Sequence, residues 1–444
     1  MPPVAPLAER SPLVRALLAD EGMGGGRVDV TIDPRDEMLG FLVQSHLGDR
    51  DRALFTYLQS GMSIADSLCQ ILRWRFGDVT RVGKLLDFAS GYGRVTRFLV
   101  REVPPEKVWV SDVYAAGVEF QQRRFGVHGI VSTVRPEDFH CAAAFDAVFV
   151  TSLFTHLPEE RFVAWLRVLM SVLTPGGVLV FSVHDQGLLA PGLAMPAEGI
   201  LFQEISESGS LAVHDYGSTW VSESFVRDAL GRAVGGGASL QRLARGLCNF
   251  QDLYVAVPEA EADFSGLSYR GEPYLYVERC QLSAPDLLEL RGWAGVLGSG
   301  GLVEVQALLD EQLLGVFPIE VERPDVAALL GDQRYLRSGW GGSCRLPAGA
   351  SRSGSIFRLR VLDERRIGFP AAASSLEAAL LDASRREVGF YAAELGRAEG
   401  RIAAAAAESA ALRAQIAAME ASRFWKMRNL WFRCKRMLGF GERP

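Results

Sequence analysis

Lys84-Leu85-Leu86-Asp87-Phe88-Ala89-Ser90-Gly91-Tyr92-Gly93-Arg94 reads as an apolar strand running into a glycine-rich turn that opens a helix. Gly91 and Gly93 let the backbone come close to a ligand where a side chain would obstruct it. Nineteen residues after Gly93, Asp112 closes the next strand, Val108-Trp109-Val110-Ser111-Asp112. An acid there can accept both hydroxyls of a ribose. A turn alone is weak evidence, but a turn with a strand-terminal acid at this spacing indicates a nucleoside cofactor. A dinucleotide would put pyrophosphate at the turn, and the carboxylate of Asp87 would repel it. A cationic amino acid head suits that acid, and S-adenosyl-L-methionine carries a sulfonium, an ammonium and no phosphate.

Outward from this stretch, short β-rich runs alternate with helical ones: Lys84–Phe88, Val108–Asp112, Gly129–Val134, Asp146–Thr151, Gly177–Val183 and Asp252–Val257. Such alternation predicts an α/β fold with a Rossmann-like doubly wound sheet over residues 81–258. Apolar residues at helical spacing (Met38, Phe41, Leu42; Leu54, Tyr57, Leu58; Ile64, Leu68, Ile71, Leu72) predict a helical cap over 27–80. The Pro-, Ala- and Gly-rich residues 1–26 read as a flexible leader. After Pro258, runs at Tyr274–Leu282, Leu287–Ala294, Leu302–Leu309, Leu313–Ile319 and Ser355–Leu362 predict an all-β sandwich over 264–370. Trp293 and Trp340 are expected to fill its core rather than stack on sugars. Over 375–422, ten of twelve heptad seam positions are apolar, from Leu381, Val388 and Leu395 to Leu412 and Met419, which predicts a coiled coil and a homo-oligomer or partner.

The chain has 444 residues, 47 basic and 53 acidic, a net charge of −6. Residues 423–444 hold seven basic residues and one acid, so the rest carries −12. An acidic body argues against a nucleic-acid partner. The basic tail also places Phe424, Met427, Trp431 and Leu438 on one stripe, an interfacial composition suited to anionic lipid. No stretch of about 18 apolar residues is present. The six cysteines (69, 141, 248, 280, 344 and 434) lie far apart, which implies no zinc site or disulfide framework. The expected location is cytoplasmic, peripheral at the inner face of the plasma membrane.

The motifs together resemble class I S-adenosylmethionine-dependent methyltransferases. Asp87 to Gly93 matches the family's first motif, with Ala89 replacing its usual first glycine. The resemblance makes Asp87, Ala89, Ser90, Gly91 and Gly93 cofactor-binding, with Asp112 on the ribose and Val113 on the adenine. Phe145 to Leu157 resembles the fourth strand and its adjoining segment, adding Thr151, and Leu173-Thr174-Pro175-Gly176-Gly177 resembles the turn into the fifth. After the third strand, Glu137 or Asp138 would meet the adenine amino group. Leu290-Arg291-Gly292-Trp293-Ala294, Arg323-Pro324-Asp325-Val326 and Ser338-Gly339-Trp340 resemble sandwich modules that accompany enzymes of bacterial surface polysaccharide assembly. That resemblance implies a glycan or lipid-linked sugar as substrate, with the sandwich holding glycan or a partner enzyme.

A hydroxyl acceptor needs a base, and histidine is the usual choice near neutral pH. Strand carboxyl ends face the ligand crevice, which favours His184, followed by Asp185, and His156. His214, beside Asp215, is a third candidate, in a polar and aromatic segment that would suit a sugar: Asp215-Tyr216-Gly217-Ser218-Thr219-Trp220. His184, His156, His214 and Asp185 are therefore the catalytic candidates, and no metal is expected. The expected function is O-methylation of a sugar in a surface polysaccharide or its lipid-linked precursor. The alternatives are a small-molecule or lipid methyltransferase and a non-catalytic scaffold that retains the fold.

Overall fold

A computed structural model describes residues 5–19, 28–206, 208–298, 300–365, 367–385, 408, 411, 413 and 414. Two compact units result, 1–380 and 381–444. The coiled-coil heptads beyond 385 and the basic tail fall almost wholly outside the described residues.

The first unit opens with helices α1 (Ala5–Arg10) and α2 (Pro12–Leu18). The flexible leader is thus corrected in part: Ser11 caps α2, and its Leu13, Val14 and Leu17 are buried. The predicted cap is two helices, α3 (Glu37–Ser45) and α4 (Arg50–Phe76), broken at Leu47 and Gly48, both at positive φ. Asp36 and Asp49 cap their N-termini, accepting from Met38 N–H at 2.9 Å and Arg52 N–H at 3.0 Å.

Five parallel strands follow: β1 (Leu85–Phe88), β2 (Val108–Asp112), β3 (His128–Val131), β4 (Phe145–Val150) and β5 (Leu173–Asp185). Helices α5 (Thr96–Glu102), α6 (Ala115–Phe125) and α7 (Glu159–Ser171) connect them. Next come β6 (Ile200–Gln203), β7 (Ser218–Val221), α8 (Glu223–Val234), β8 (Ser239–Leu247) and β9 (Gln251–Val257). The sheet runs β3-β2-β1-β4-β5, and β9 then pairs antiparallel with β5, with β8 on β9. Because successive side chains alternate, Leu85, Val110 and Phe149 face α4–α6, whereas Leu86, Val148 and Phe181 face α7 and α8. That two-sided burial is what makes these strands near-continuous apolar runs. The hairpin β6–β7 extends from the carboxyl end of β5, with His184 opposite Trp220.

The remainder is antiparallel. One sheet holds β10 (Arg270–Ala284), β11 (Leu287–Gly298) and β14 (Gly339–Arg345); the other holds β12 (Leu302–Leu309), β13 (Gln312–Pro318), β15 (Ile356–Asp363) and β16 (Gly368–Ser375). Helix α9 (Pro324–Leu330) precedes β14. Phe317 meets the fully buried Trp340 across the two sheets at 6.0 Å. Helix α4 ties this region to the parallel sheet: Gln70 exchanges backbone hydrogen bonds with Arg270, and Tyr269 donates to Ser67 at 2.9 Å.

Candidate active site

The turn after β1 is built from left-handed residues: Ala89 at φ 58°, Gly91 at 57° and Gly93 at 79°. Gly91 N–H donates to Asp112 Oδ2 at 2.7 Å and Tyr114 N–H to Oδ1 at 3.0 Å, so the acid and the turn fix each other. Burial pushes the Asp112 carboxyl up despite these bonds. A cavity of about 220 Å³ opens over the turn. Ala89, Ser90, Gly91, Asp112, Val113 and Thr151 line it, all of them expected from the sequence.

Four expected cofactor residues do not line it. Asp87 is buried behind the turn and bonds Thr96 Oγ1 at 2.7 Å, so it does not meet a cationic head. Gly93 serves packing: a Cβ there would stand 2.5 Å from Phe125 Cε2 and 2.9 Å from Gln121 Oε1. Glu137 and Asp138 are exposed on a 3-10 turn, and Ser132 and Thr133 occupy the wall after β3 instead.

The remaining walls come from segments the motifs did not reach. The start of α3 supplies Asp36, Glu37 and Met38, and the segment joining β6 to β7 supplies Ser208, Leu211, Asp215 and Tyr216. Ser208 and Ser210 donate to the Glu37 carboxylate at 3.1 and 3.0 Å, joining the two. Asp36 is buried and accepts from Tyr57 O–H at 2.5 Å, and burial raises its pKa. Its one sequence signal was an acid preceding an apolar helical period, which reads equally as a helix cap.

A second cavity, about 510 Å³, adjoins the first and shares Glu37, Arg94, Thr151, Ser152 and Tyr216 with it. His156 and His184 both line it, their rings 6.5 Å apart. His156 Nδ1 bonds Gly217 O at 2.7 Å, and its ring stacks on Tyr216 at 4.3 Å. His184 lies edge-on to Phe250 at 5.5 Å, with Gln251 Nε2 at 3.5 Å. Burial, with His156 adding to it, lowers the His184 pKa to about 4, so the ring is neutral at pH 7. The other two catalytic candidates lie elsewhere. Asp185 accepts from Arg242 at 3.0 Å and from Gly187 N–H, turned away from the His184 ring's cavity. His214 is 68% exposed, pairs with Asp215 at 3.5 Å and lines neither cavity.

The donor cavity fits S-adenosylmethionine on this chain's own atoms. Thr151 Oγ1 is buried without a hydrogen-bond partner on the wall common to both cavities. The side of Gly91 where a Cβ would stand is open. Asp36, Glu37 and Asp112 bring negative charge, and Arg94, which donates to Ser60 at 3.1 Å, is the single cation lining it among the described residues. That balance suits a cationic ligand and opposes a pyrophosphate.

Residues 85–177 match the family described as a methyltransferase domain, about a fifth of the chain. No curated protein matches the sequence. Among solved structures, the sugar N-methyltransferase KedS8 from Streptoalloteichus is 18% identical, with a TM-score of 0.36 over 53% of this chain and 98% of that one. The amino pentose methyltransferase CalS10 from Micromonospora echinaspora is 18% identical, with a TM-score of 0.34 over 45% and 91%. An S-adenosylmethionine-dependent methyltransferase from Clostridium acetobutylicum is 12% identical, with a TM-score of 0.33 over 44% and 91%. Family match and site together make this chain a methyltransferase, with S-adenosyl-L-methionine as methyl donor. No helix among the described residues is long and apolar enough to cross a membrane.

Proposed function

We propose that the acceptor is a hydroxyl of an uncharged sugar, and that the product is a methyl ether in a surface polysaccharide or its lipid-linked precursor. The observation that carries this reading is His184, a half-buried neutral imidazole in the wall of the cavity adjoining the donor site. The donor supplies an electrophilic methyl group. The protein's part is to align the acceptor oxygen with it and to take the hydroxyl proton. With its pKa lowered to about 4, His184 is unprotonated above that pH, so a ring nitrogen is open to the hydroxyl proton as the methyl group is transferred. His156, fixed by Gly217 and Tyr216, holds one wall of the acceptor cavity. Gln251 and Ser152, bonded to each other at 3.1 Å, offer amide and hydroxyl groups to a polyol. Glu37 offsets Arg94, the single cation lining this cavity among the described residues, so the wall carries no net positive charge to favour a phosphate or carboxylate acceptor. The cell-surface setting rests on the resemblance of the β module and on the lipid-suited composition of the tail. Coiled-coil oligomerisation and membrane contact through the tail belong to the same proposal.

The test is transfer of a labelled methyl group to neutral sugars, with the product bond identified by mass spectrometry. The expected result is an O-methyl sugar whose formation collapses in His184→Gln while donor binding persists. Transfer to amines alone, or no transfer by protein that binds the donor, would overturn the reading.

A further inference from the structure

The two module tryptophans have opposite fates. Trp340 fills the interior between the sheets, whereas Trp293 lies on the outer face of β11, half-buried, beside two tyrosines of β10. Tyr276 stands opposite Trp293 in register, with ring centroids 6.1 Å apart and planes 25° from parallel. Tyr274, two residues earlier on β10, also lies against Trp293 at 6.3 Å. Tyr276 is 43% exposed, so the ring row reaches the surface. Two residues along each strand the face turns polar: Glu278 accepts from Arg323 at 2.6 Å and has Arg291 at 3.9 Å.

Phe250, on the cavity lip against His184, is half exposed at the tip of the β8–β9 hairpin. Its neighbour Asn249 donates to Glu272 O at 2.8 Å, two residues before Tyr274. One hydrogen bond therefore ties the hairpin at the cavity mouth to the strand that carries the two tyrosines.

We propose that this face is a second binding site, for the body of an oligosaccharide whose terminal unit enters the acceptor cavity. A pyranose has one face of C–H groups and a rim of hydroxyls. The faces match the rings of Tyr274, Trp293 and Tyr276, and the rim matches Glu278 and Arg291. A lipid chain would match the rings but offer no hydrogen-bonding groups to the Glu278–Arg291 edge. The site deepens the sugar-acceptor reading and rests on it.

The experiment is calorimetry on the full chain with hexasaccharides of mannose, glucose and rhamnose, each paired with its methyl glycoside. At least one hexasaccharide is expected to bind more tightly than its methyl glycoside. Trp293→Ala and Tyr276→Ala should each weaken it by roughly tenfold, with Trp293→Phe recovering most of the loss. S-adenosylmethionine binding reports that each variant is folded. Equal binding of every hexasaccharide and its methyl glycoside, or folded alanine variants that bind as wild type does, would overturn the site. The two proposals fail separately. Methyl transfer to sugars without any preference for length overturns the platform alone. Hexasaccharide binding lost in the alanine variants, with no methyl transfer to any sugar, overturns the acceptor reading alone.

Discussion

Asp87 carries a prediction that comes from counting protons. The Thr96 hydroxyl lies 2.7 Å from Asp87 Oδ2 and 2.7 Å from Gln121 Oε1, and one hydroxyl proton cannot serve two acceptors. Gln121 cannot be turned round, because its Nε2 already donates to Ser90 Oγ at 2.8 Å and Gly91 O at 2.9 Å. The missing proton belongs on Asp87, which donates to Thr96, which donates to Gln121. Burial pushes the same carboxyl up to about 7, with the Thr96 bond opposing and the Asp112 charge adding. The folded chain then binds more protons here than the unfolded chain, whose carboxyl titrates near 3.8. Stability from this group is therefore intact below pH 4 and falls as pH rises to about 7, by about 4 kcal/mol at most. Asp87→Asn replaces the acid O–H with an amide N–H and keeps the donor without the titration. Urea unfolding from pH 4.5 to 8.5 is the assay. The variant should match wild type within about 1 kcal/mol at the acid end and exceed it by up to about 4 kcal/mol at pH 8. Donor affinity should change little, since Asp87 does not line the cavity. A variant weaker than wild type by the same amount at both ends of the range would refute the protonated assignment.

Three further outcomes are expected at the same site. Thr151→Val deletes a buried hydroxyl that bonds nothing in the protein; donor binding by calorimetry should weaken by about 1 kcal/mol or more while thermal stability holds or rises. Gly93→Ala, which drives a Cβ into Phe125 and Gln121 at φ 79°, should cost about 3 kcal/mol in unfolding assays, whereas Ala89→Gly, at φ 58°, should change stability by no more than about 1 kcal/mol. The pH–rate profile should show no limb from His184 between pH 5.5 and 8, and His184→Gln should lower kcat/KM by about a hundredfold or more at every pH in that range.

What the sequence made legible is the part whose chemistry is local. A turn that must go left-handed twice within three residues and an acid at the end of the next strand are set by backbone geometry, so Gly91, Asp112 and the strands around them could be placed from spacing. The same logic misassigned Asp87. Its position in the motif was correct, but whether a strand-terminal side chain faces the crevice or the helix behind it depends on which way the strand turns its alternate residues. Here β1 puts Leu85 and Asp87 toward α5, so the acid meets Thr96. His184 and His156 were recoverable because each comes after a strand of the parallel sheet or at its carboxyl end. Asp185 was not, because its partner Arg242 lies 57 residues away on β8, a strand whose two arginines hid its β pattern. The cap residues Asp36 and Glu37 and the β6–β7 segment had no signal of a shared site, since what makes them part of it is their meeting across 171 residues through Ser208. The same distinction separates Trp293 from Trp340. Both are tryptophans beside glycine in β-rich runs, and strand register separates them: Trp340 sits opposite Gly292 on the face that Leu288, Leu290 and Ala294 bury, whereas Trp293 alternates onto the other face with Tyr276.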